Sequence, residues 1–308
     1  MKVNFIILTY NRPIVLRKCL ETVFNNTEII PSETFVIDDG SEPDMRMALA
    51  DYCTKNSRND SPINLSLAGK NYGIGYTFEK AYNIMRQNED DDVLFAIIES
   101  DYIWRKGWLE DVIAVFEASP NTISIAGVDH PDMVDKNKTH GTFVDLMKEQ
   151  FGEDIESRDN LYKEFIINTS RGDIKVRPVS NSCGCQIIHW GRLKKILKDG
   201  DLTHGLTPFS TENFWKWMDR AFHKNGTGDR RYASDGHMSC TLTYFAEKWM
   251  KHSNIDITKN FGMLSISDYS ISQHICGKGV NGMIVPEGQT FVISPTWKDE
   301  YLEKDPRK

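Results

Sequence analysis

Apolar residues fall along this chain in two alternating patterns, short runs and stripes at three- and four-residue spacing. Val3 to Leu8, Thr34 to Ile37 and Val93 to Ile98 are near-unbroken runs. Runs of that length fit strands buried on both faces, as in a parallel sheet covered by helices. Between them come stripes. Leu16, Cys19, Leu20 and Val23 share one face of a helix expected over Ile14 to Phe24, entered through Pro13, which fixes φ and favours a helix start. Phe78, Ala81, Tyr82 and Met85 mark a second helix over Tyr76 to Arg86; Leu109, Val112, Ile113 and Phe116 mark a third, led by Gly107 and stopped by Pro120. Strand and helix signals in alternation open a doubly wound sheet, and right-handed crossovers bring the strand ends to one rim.

The remaining pattern is less regular. A helix around Met45, Met47 and Leu49 and an alternating strand at Ile63 to Leu67 complete the first half, and Ile123 to Val128 reads as another strand. From about Asp132 to Arg177 the chain is polar, with a weak helix at Val144 to Phe151 and little periodicity, which predicts an insertion or flap. Val179 to Trp190 returns to a strand-like run, followed by a short basic helix from Gly191 to Leu197. Two amphipathic helices come next, one with Phe214, Trp217, Met218 and Ala221 on a face and one with Met238, Leu242, Phe245 and Trp249. The expectation is one domain over residues 1–296: a nucleotide-binding half (1–128), an insertion (129–178), an acceptor half with a C-terminal loop (179–296), and a charged, frayed tail from Trp297.

Composition narrows the class without changing this picture. With 308 residues the chain can bury a full core, and no apolar run reaches the roughly 20 residues that a membrane span needs. The amino terminus reads as a first strand rather than an export signal, so a cytoplasmic protein is expected, with its six cysteines as buried thiols. Cys183-Gly-Cys185 is half of a metal site at most, since no second Cys/His pair has zinc-finger spacing. A net charge of −7 argues against a general nucleic-acid footprint and leaves room for a local basic patch.

Candidate chemistry sits where the runs end. Glu99, Ser100 and Asp101 stand where the Val93 to Ile98 strand emerges, and carboxylates at strand ends of an open α/β sheet can hold a cation against a phosphorylated ligand. Asp38-Asp-Gly-Ser41 ends the second strand. Gly69-Lys-Asn-Tyr-Gly-Ile-Gly75 opens a helix and either offers backbone N–H groups to phosphate or sugar oxygens or is a tight turn. Asp235, before the last amphipathic helix, is either a functional carboxylate or an N-cap.

Taken together, FIILTYNRP, VIDDGS, Asn71-Tyr-Gly73, Glu99-Ser-Asp101 and Gly107-Trp108 resemble the GT-A glycosyltransferases, specifically glycosyltransferase family 2. The resemblance implies a GT-A-type, Rossmann-like α/β fold: a doubly wound mixed sheet with helices on both faces. By that match Thr9, Tyr10, Arg12, Asp38 or Asp39, Asn71, Gly73, Glu99 and Ser100 would contact a nucleotide-sugar donor. Asp101 takes the place of the last aspartate of the D-x-D motif, which ligands Mn2+ or Mg2+ bridging the diphosphate. Ser234-Asp235 stands at the family's Glu-Asp motif and so keeps an aspartate, Asp235, as catalytic base, with Glu212 the next candidate. Ser272 to Gly277 resembles the His-containing loop that completes the metal site, which makes His274 a second ligand. The Gln-x-x-Arg-Trp signature of processive synthases is missing.

The implied reaction is inverting, metal-dependent transfer of a sugar from a nucleotide diphosphate, UDP foremost, to an acceptor hydroxyl. The acceptor stays open between a saccharide and a hydroxymethylated base in phage DNA, the latter prompted by Asp229-Arg-Arg231, Lys194, Lys195 and Lys198. Two rivals remain: a nucleotidyltransferase, although its usual Gly-rich first loop has no counterpart in Thr9 to Pro13, and a non-catalytic nucleotide- or carbohydrate-binding module.

Overall fold

The computed structural model describes residues 1–127, 163–179, 185–202, 210–223, 235–257, 259–268, 271–274, 300–305 and 307. The helix expected at Val144 to Phe151, Cys183 and the Asp229 to Arg231 cluster lie outside these residues. Four parallel strands form one side of the sheet: β1 (Lys2–Thr9), β2 (Glu33–Asp38), β3 (Ile63–Leu67) and β4 (Val93–Glu99). They are connected by α1 (Pro13–Asn25), α2 (Pro43–Asn56) and α3 (Ile74–Gln87). After β4 come a short β5 (Tyr102–Trp104), α4 (Trp108–Ala118) and β6 (Ser124–Ala126). The second half supplies β7 (Phe165–Thr169), β8 (Gly172–Pro178), β9 (Gln186–His189), α5 (Trp190–Leu202), α6 (Thr211–Phe222), α7 (Asp235–His252), β10 (Met263–Ile266), β11 (Ser272–His274) and α8 (Glu300–Glu303).

The nine-stranded sheet runs β3-β2-β1-β4-β9-β6-β10-β8-β7, with β9 antiparallel to both neighbours, so it is the mixed, doubly wound sheet expected. Its two faces are buried by different helices, which is why the runs had to be apolar at every position. On β1 and β4, Ile6, Leu8, Phe95 and Ile97 point into a core with Phe78 and Tyr82 of α3 and Phe214 and Phe245 of α6 and α7. Phe5, Ile7, Leu94, Ala96 and Ile98 point the other way, against Leu16 and Leu20 of α1, Leu49 of α2 and Trp108 and Val112 of α4. Each such side chain contributes roughly 1.5–3 kcal/mol on full burial. Cys19, Cys53, Cys185 and Cys240 are buried free thiols, and burial pushes each thiol up in pKa, Cys53 to about 11. Among the described residues no helix is long and apolar enough to cross a membrane.

The structure corrects the reading in three places. Residues 165–178, inside the expected insertion, form the β7–β8 hairpin, and β8 joins the main sheet through β10. The alternation that seats it, Ile174 and Val176 inward, lasts too few residues to stand out in a polar stretch. Tyr102–Trp104 and Ser272–His274, read as strand exit and loop, pair as a separate two-stranded ribbon. In the tail, the described residues 300–305 and 307 are not frayed, because their charges have partners in the body of the protein. Arg171 bridges Asp305 (2.7 Å) and Asp111 (2.6 Å), Arg307 reaches Asp268 at 2.7 Å, and fully buried Asp111 also pairs with fully buried Arg105.

Candidate active site

The loops that follow β1, β2 and β3 meet at one rim and are tied to one another by side chains. Asp39 lies just past β2, where its backbone N–H donates to the Thr9 carbonyl at 3.0 Å. Its two carboxylate oxygens accept from the backbone N–H groups of Tyr72 and Gly73, each at 2.8 Å, which holds the β3–α3 loop against the β2–α2 loop. Burial raises the pKa of Asp39, and those two N–H groups oppose the rise. Gly40 makes the junction possible: its φ is +77°, and a Cβ there would lie 2.1 Å from the Lys70 carbonyl carbon. Only a residue without a side chain allows the two backbones to come this close.

Asp38 does something different from its neighbour. It is fully buried and accepts from the backbone N–H groups of Gly40 (3.1 Å) and Ser41 (2.9 Å) and from the Ser41 hydroxyl. The Ser41 hydroxyl oxygen in turn accepts from the Asn11 backbone N–H at 2.8 Å, and Asn11 Oδ1 accepts from Glu42 N–H at 2.8 Å. Asn11 sits at φ +46°, a left-handed conformation that asparagine tolerates better than most residues. The turn at Asn11 sends the next residue, Arg12, across to the end of β4, where its Nη1 donates to Asp101 Oδ2.

Between these loops and the end of β4 lies a cleft of about 290 Å3. Thr9, Tyr10, Arg12, Asp39, Asn71, Gly73, Glu99 and Asp101 line it, so most of the residues picked from sequence come together. Asp38 and Ser100 are buried and are not among the lining residues: Asp38 bonds within its own turn, and the Ser100 backbone N–H donates to the Leu8 carbonyl. The sequence reading passed over Leu8, Ile74 and Thr77, which also line the cleft. The last two lie in the first turn of α3, and the signal for them was their spacing behind Gly73. α3 begins there without an acidic residue in its first turn, and the carboxylate at the positive end of its dipole is that of Asp39, which accepts from the N–H of the N-cap residue Gly73.

The other two candidates are placed by their backbone. His274 is in register with Tyr102, the residue after Asp101. Asp235 opens α7 one turn before Ser239, whose hydroxyl accepts from Gln186 at 2.8 Å. Gln186 is the register partner of Ile97, two residues before Glu99. Ser239, in the second turn of α7, thus sits beside the β9 residue that pairs with the end of β4. Glu212 lies in the first turn of α6.

The donor set suits a divalent cation. Asp101 and Glu99 offer hard carboxylate oxygens at a strand end, and the backbone of His274 is paired with that of Tyr102, next to Asp101. Among the described residues no group of three His, Cys, Asp or Glu could enclose an ion.

No curated protein matches the chain. Among solved structures, it is similar to the mannosyltransferase PcManGT from Pyrobaculum calidifontis in complex with GDP-Man and Mn2+ (16% identity, 46% of this chain and 38% of that one, TM-score 0.35). It is also similar to TarS 1-349 of S. aureus in complex with UDP (17% identity, 88% of this chain and 60% of that one, TM-score 0.42). A third is the glucosyl-3-phosphoglycerate synthase of Mycobacterium tuberculosis (12% identity, 64% of this chain and 58% of that one, TM-score 0.36). The family model "Glycosyl transferase family 2" matches residues 4–185, more than half of the chain and all four loops of the cleft, and the chain belongs to that family of glycosyltransferases.

Proposed function

We propose that the cleft binds a nucleoside diphosphate sugar, UDP-linked, together with Mn2+ or Mg2+, and that the enzyme transfers the sugar with inversion to an acceptor hydroxyl. The observation that carries this reading is the meeting of Asp39, Arg12, the α3 N-terminus and Asp101 around one cleft of nucleotide size at the carboxyl ends of parallel strands. In this reading Thr9, Tyr10 and Asp39 take the nucleoside. Asn71 and the start of α3, which Gly73 lets approach closely, offer polar groups to the diphosphate, and Arg12 offers a fork that pairs two phosphate oxygens. Asp101, with Glu99 and His274, holds the cation. When bound, a divalent cation neutralises charge on the departing diphosphate without needing a proton.

On the acceptor side Asp235 takes the proton from the attacking hydroxyl, a role that typically contributes ~10² to 10⁴-fold. A single displacement without an enzyme nucleophile inverts the anomeric centre. The test is a screen of nucleotide sugars for Mn2+-dependent hydrolysis and thermal stabilisation, followed by acceptor classes, hydroxymethylated DNA and saccharides among them. Turnover that Asp101→Ala abolishes in a folded protein supports the reading. Nucleotide binding without any turnover would make the protein a binding module instead.

A further inference from the structure

The ion pair between Arg12 and Asp101 puts a cation on the carboxylate that the proposed function assigns to a metal. From this pair we infer that Arg12 guards the metal position: in the nucleotide-free protein its guanidinium holds Asp101, and a divalent cation gains Asp101 only once a diphosphate has taken the guanidinium over. The inference rests on the reading of Asp101 as a metal ligand and adds to it an order of binding, nucleotide before or together with metal.

Geometry supports a swinging side chain on a fixed backbone. Arg12 is fixed on its N-terminal side by Asn11, whose N–H and Oδ1 are bonded to Ser41 and Glu42 at 2.8 Å each, and on its other side by Pro13, the first residue of α1. The Arg12 side chain is 28% exposed and that of Asp101 9%, so the pair lies at the cleft wall with the guanidinium on the open side. Both residues line the same cleft. A guanidinium fork pairs with carboxylate and with phosphate in the same geometry, so a diphosphate entering the cleft competes for it on equal chemical terms. A guanidinium and a divalent cation repel each other, so the two compete for the Asp101 carboxylate. Releasing Arg12 to the phosphate therefore removes a competitor from Asp101 and adds phosphate oxygens to the cation's shell. Because coupling of binding free energies is reciprocal, Mn2+ must tighten nucleotide binding by the same factor.

The assignment makes a prediction that a merely structural arginine would not: removing Arg12 strengthens metal binding. Free Mn2+ is followed by its electron paramagnetic resonance signal as protein is titrated, with and without UDP, for wild type, Arg12→Gln, Arg12→Lys and Asp101→Asn. Wild type is expected to bind Mn2+ at least tenfold more tightly with UDP than without it. In Arg12→Gln, nucleotide-free Mn2+ affinity should rise at least tenfold while UDP affinity falls, so that the coupling shrinks. Arg12→Lys, which keeps the charge without the fork, should lie between the two. Nucleotide-free affinity in both Arg12 variants equal to or below that of wild type overturns the guard, while UDP-dependent Mn2+ binding that is lost in Asp101→Asn leaves the metal site itself standing. Absence of Mn2+ binding to wild type even with UDP removes the metal reading and the guard with it.

Discussion

Gly40→Ala puts the architecture of the cleft to a quantitative test. Gly40 has φ +77°, and an added Cβ would lie 2.1 Å from the Lys70 carbonyl carbon, 2.4 Å from its oxygen and 2.6 Å from the Asn71 nitrogen, all of them backbone atoms. Gly172, in the turn of the β7–β8 hairpin, provides the control: its φ is +95°, and a Cβ there would meet nothing within 4 Å. Gly172→Ala should therefore cost the conformational term alone, roughly 1–2 kcal/mol. Gly40→Ala adds overpacking against a backbone that cannot rotate away, about 1–3 kcal/mol more, for a total of roughly 2–5 kcal/mol. The clash also pushes the β3–α3 loop off Asp39, so nucleotide binding should weaken in Gly40→Ala and not in Gly172→Ala. Urea unfolding of both variants, read from the midpoint at constant slope, measures the difference. Equal losses, within about 0.5 kcal/mol, would refute the argument that this junction of loops is close-packed around a missing side chain.

Other predictions follow from the buried charges and from Asp235. Asp111→Ala strips fully buried Arg105 of its carboxylate and should cost about 3–5 kcal/mol in thermal unfolding; a loss under about 1 kcal/mol would mean the pair is dispensable. His189 is held neutral, with a pKa lowered from 6.5 to about 4, first by burial and then by Arg192. The unfolded chain takes up that proton below pH 6.5 and the folded one does not, so stability should fall by roughly 3 kcal/mol between pH 6.5 and 4. His189→Gln should flatten that part of the pH profile, and an unchanged profile would assign the acid lability elsewhere. Asp235→Asn, at the first residue of α7, should leave the melting temperature nearly unchanged yet slow acceptor turnover by ~10² or more; if Asp235 only serves the start of α7, turnover in the Asn variant stays normal.

The sequence showed the parts of this fold that are local. β1 and β4 are legible because a strand buried on both faces is apolar at every position, and α1, α3 and α4 because their stripes span several turns. β5, β10 and β11 are three or four residues long and are held by partners distant in sequence, such as Tyr102 with His274, and β7 and β8 form a short hairpin in a polar stretch, so a window of residues carries little trace of them. The site divides the same way. The residues at strand ends were found because the topology of a doubly wound sheet dictates that rim. Asp38 and Asp39, adjacent and chemically identical, could not be told apart, since only the direction of the backbone after β2 decides which carboxylate turns back on Ser41 and which one reaches Tyr72 and Gly73. Asn11 was passed over for a similar reason: its role depends on a left-handed φ that its side chain permits without announcing. The tail looked disordered because its charges were read without their partners, Asp111, Arg171 and Asp268.

The central claim is that the cleft at the end of β4 holds a nucleoside diphosphate through a cation on Asp101. Anomalous diffraction at the manganese edge, from crystals grown with Mn2+ and UDP, tests it most directly. The account predicts a single strong anomalous peak at coordination distance from the Asp101 carboxylate and from the diphosphate, with the Arg12 guanidinium moved onto phosphate and the base between Tyr10 and Asp39. Nucleotide density in this cleft with no peak beside Asp101, or a peak and nucleotide elsewhere on the molecule, would contradict it.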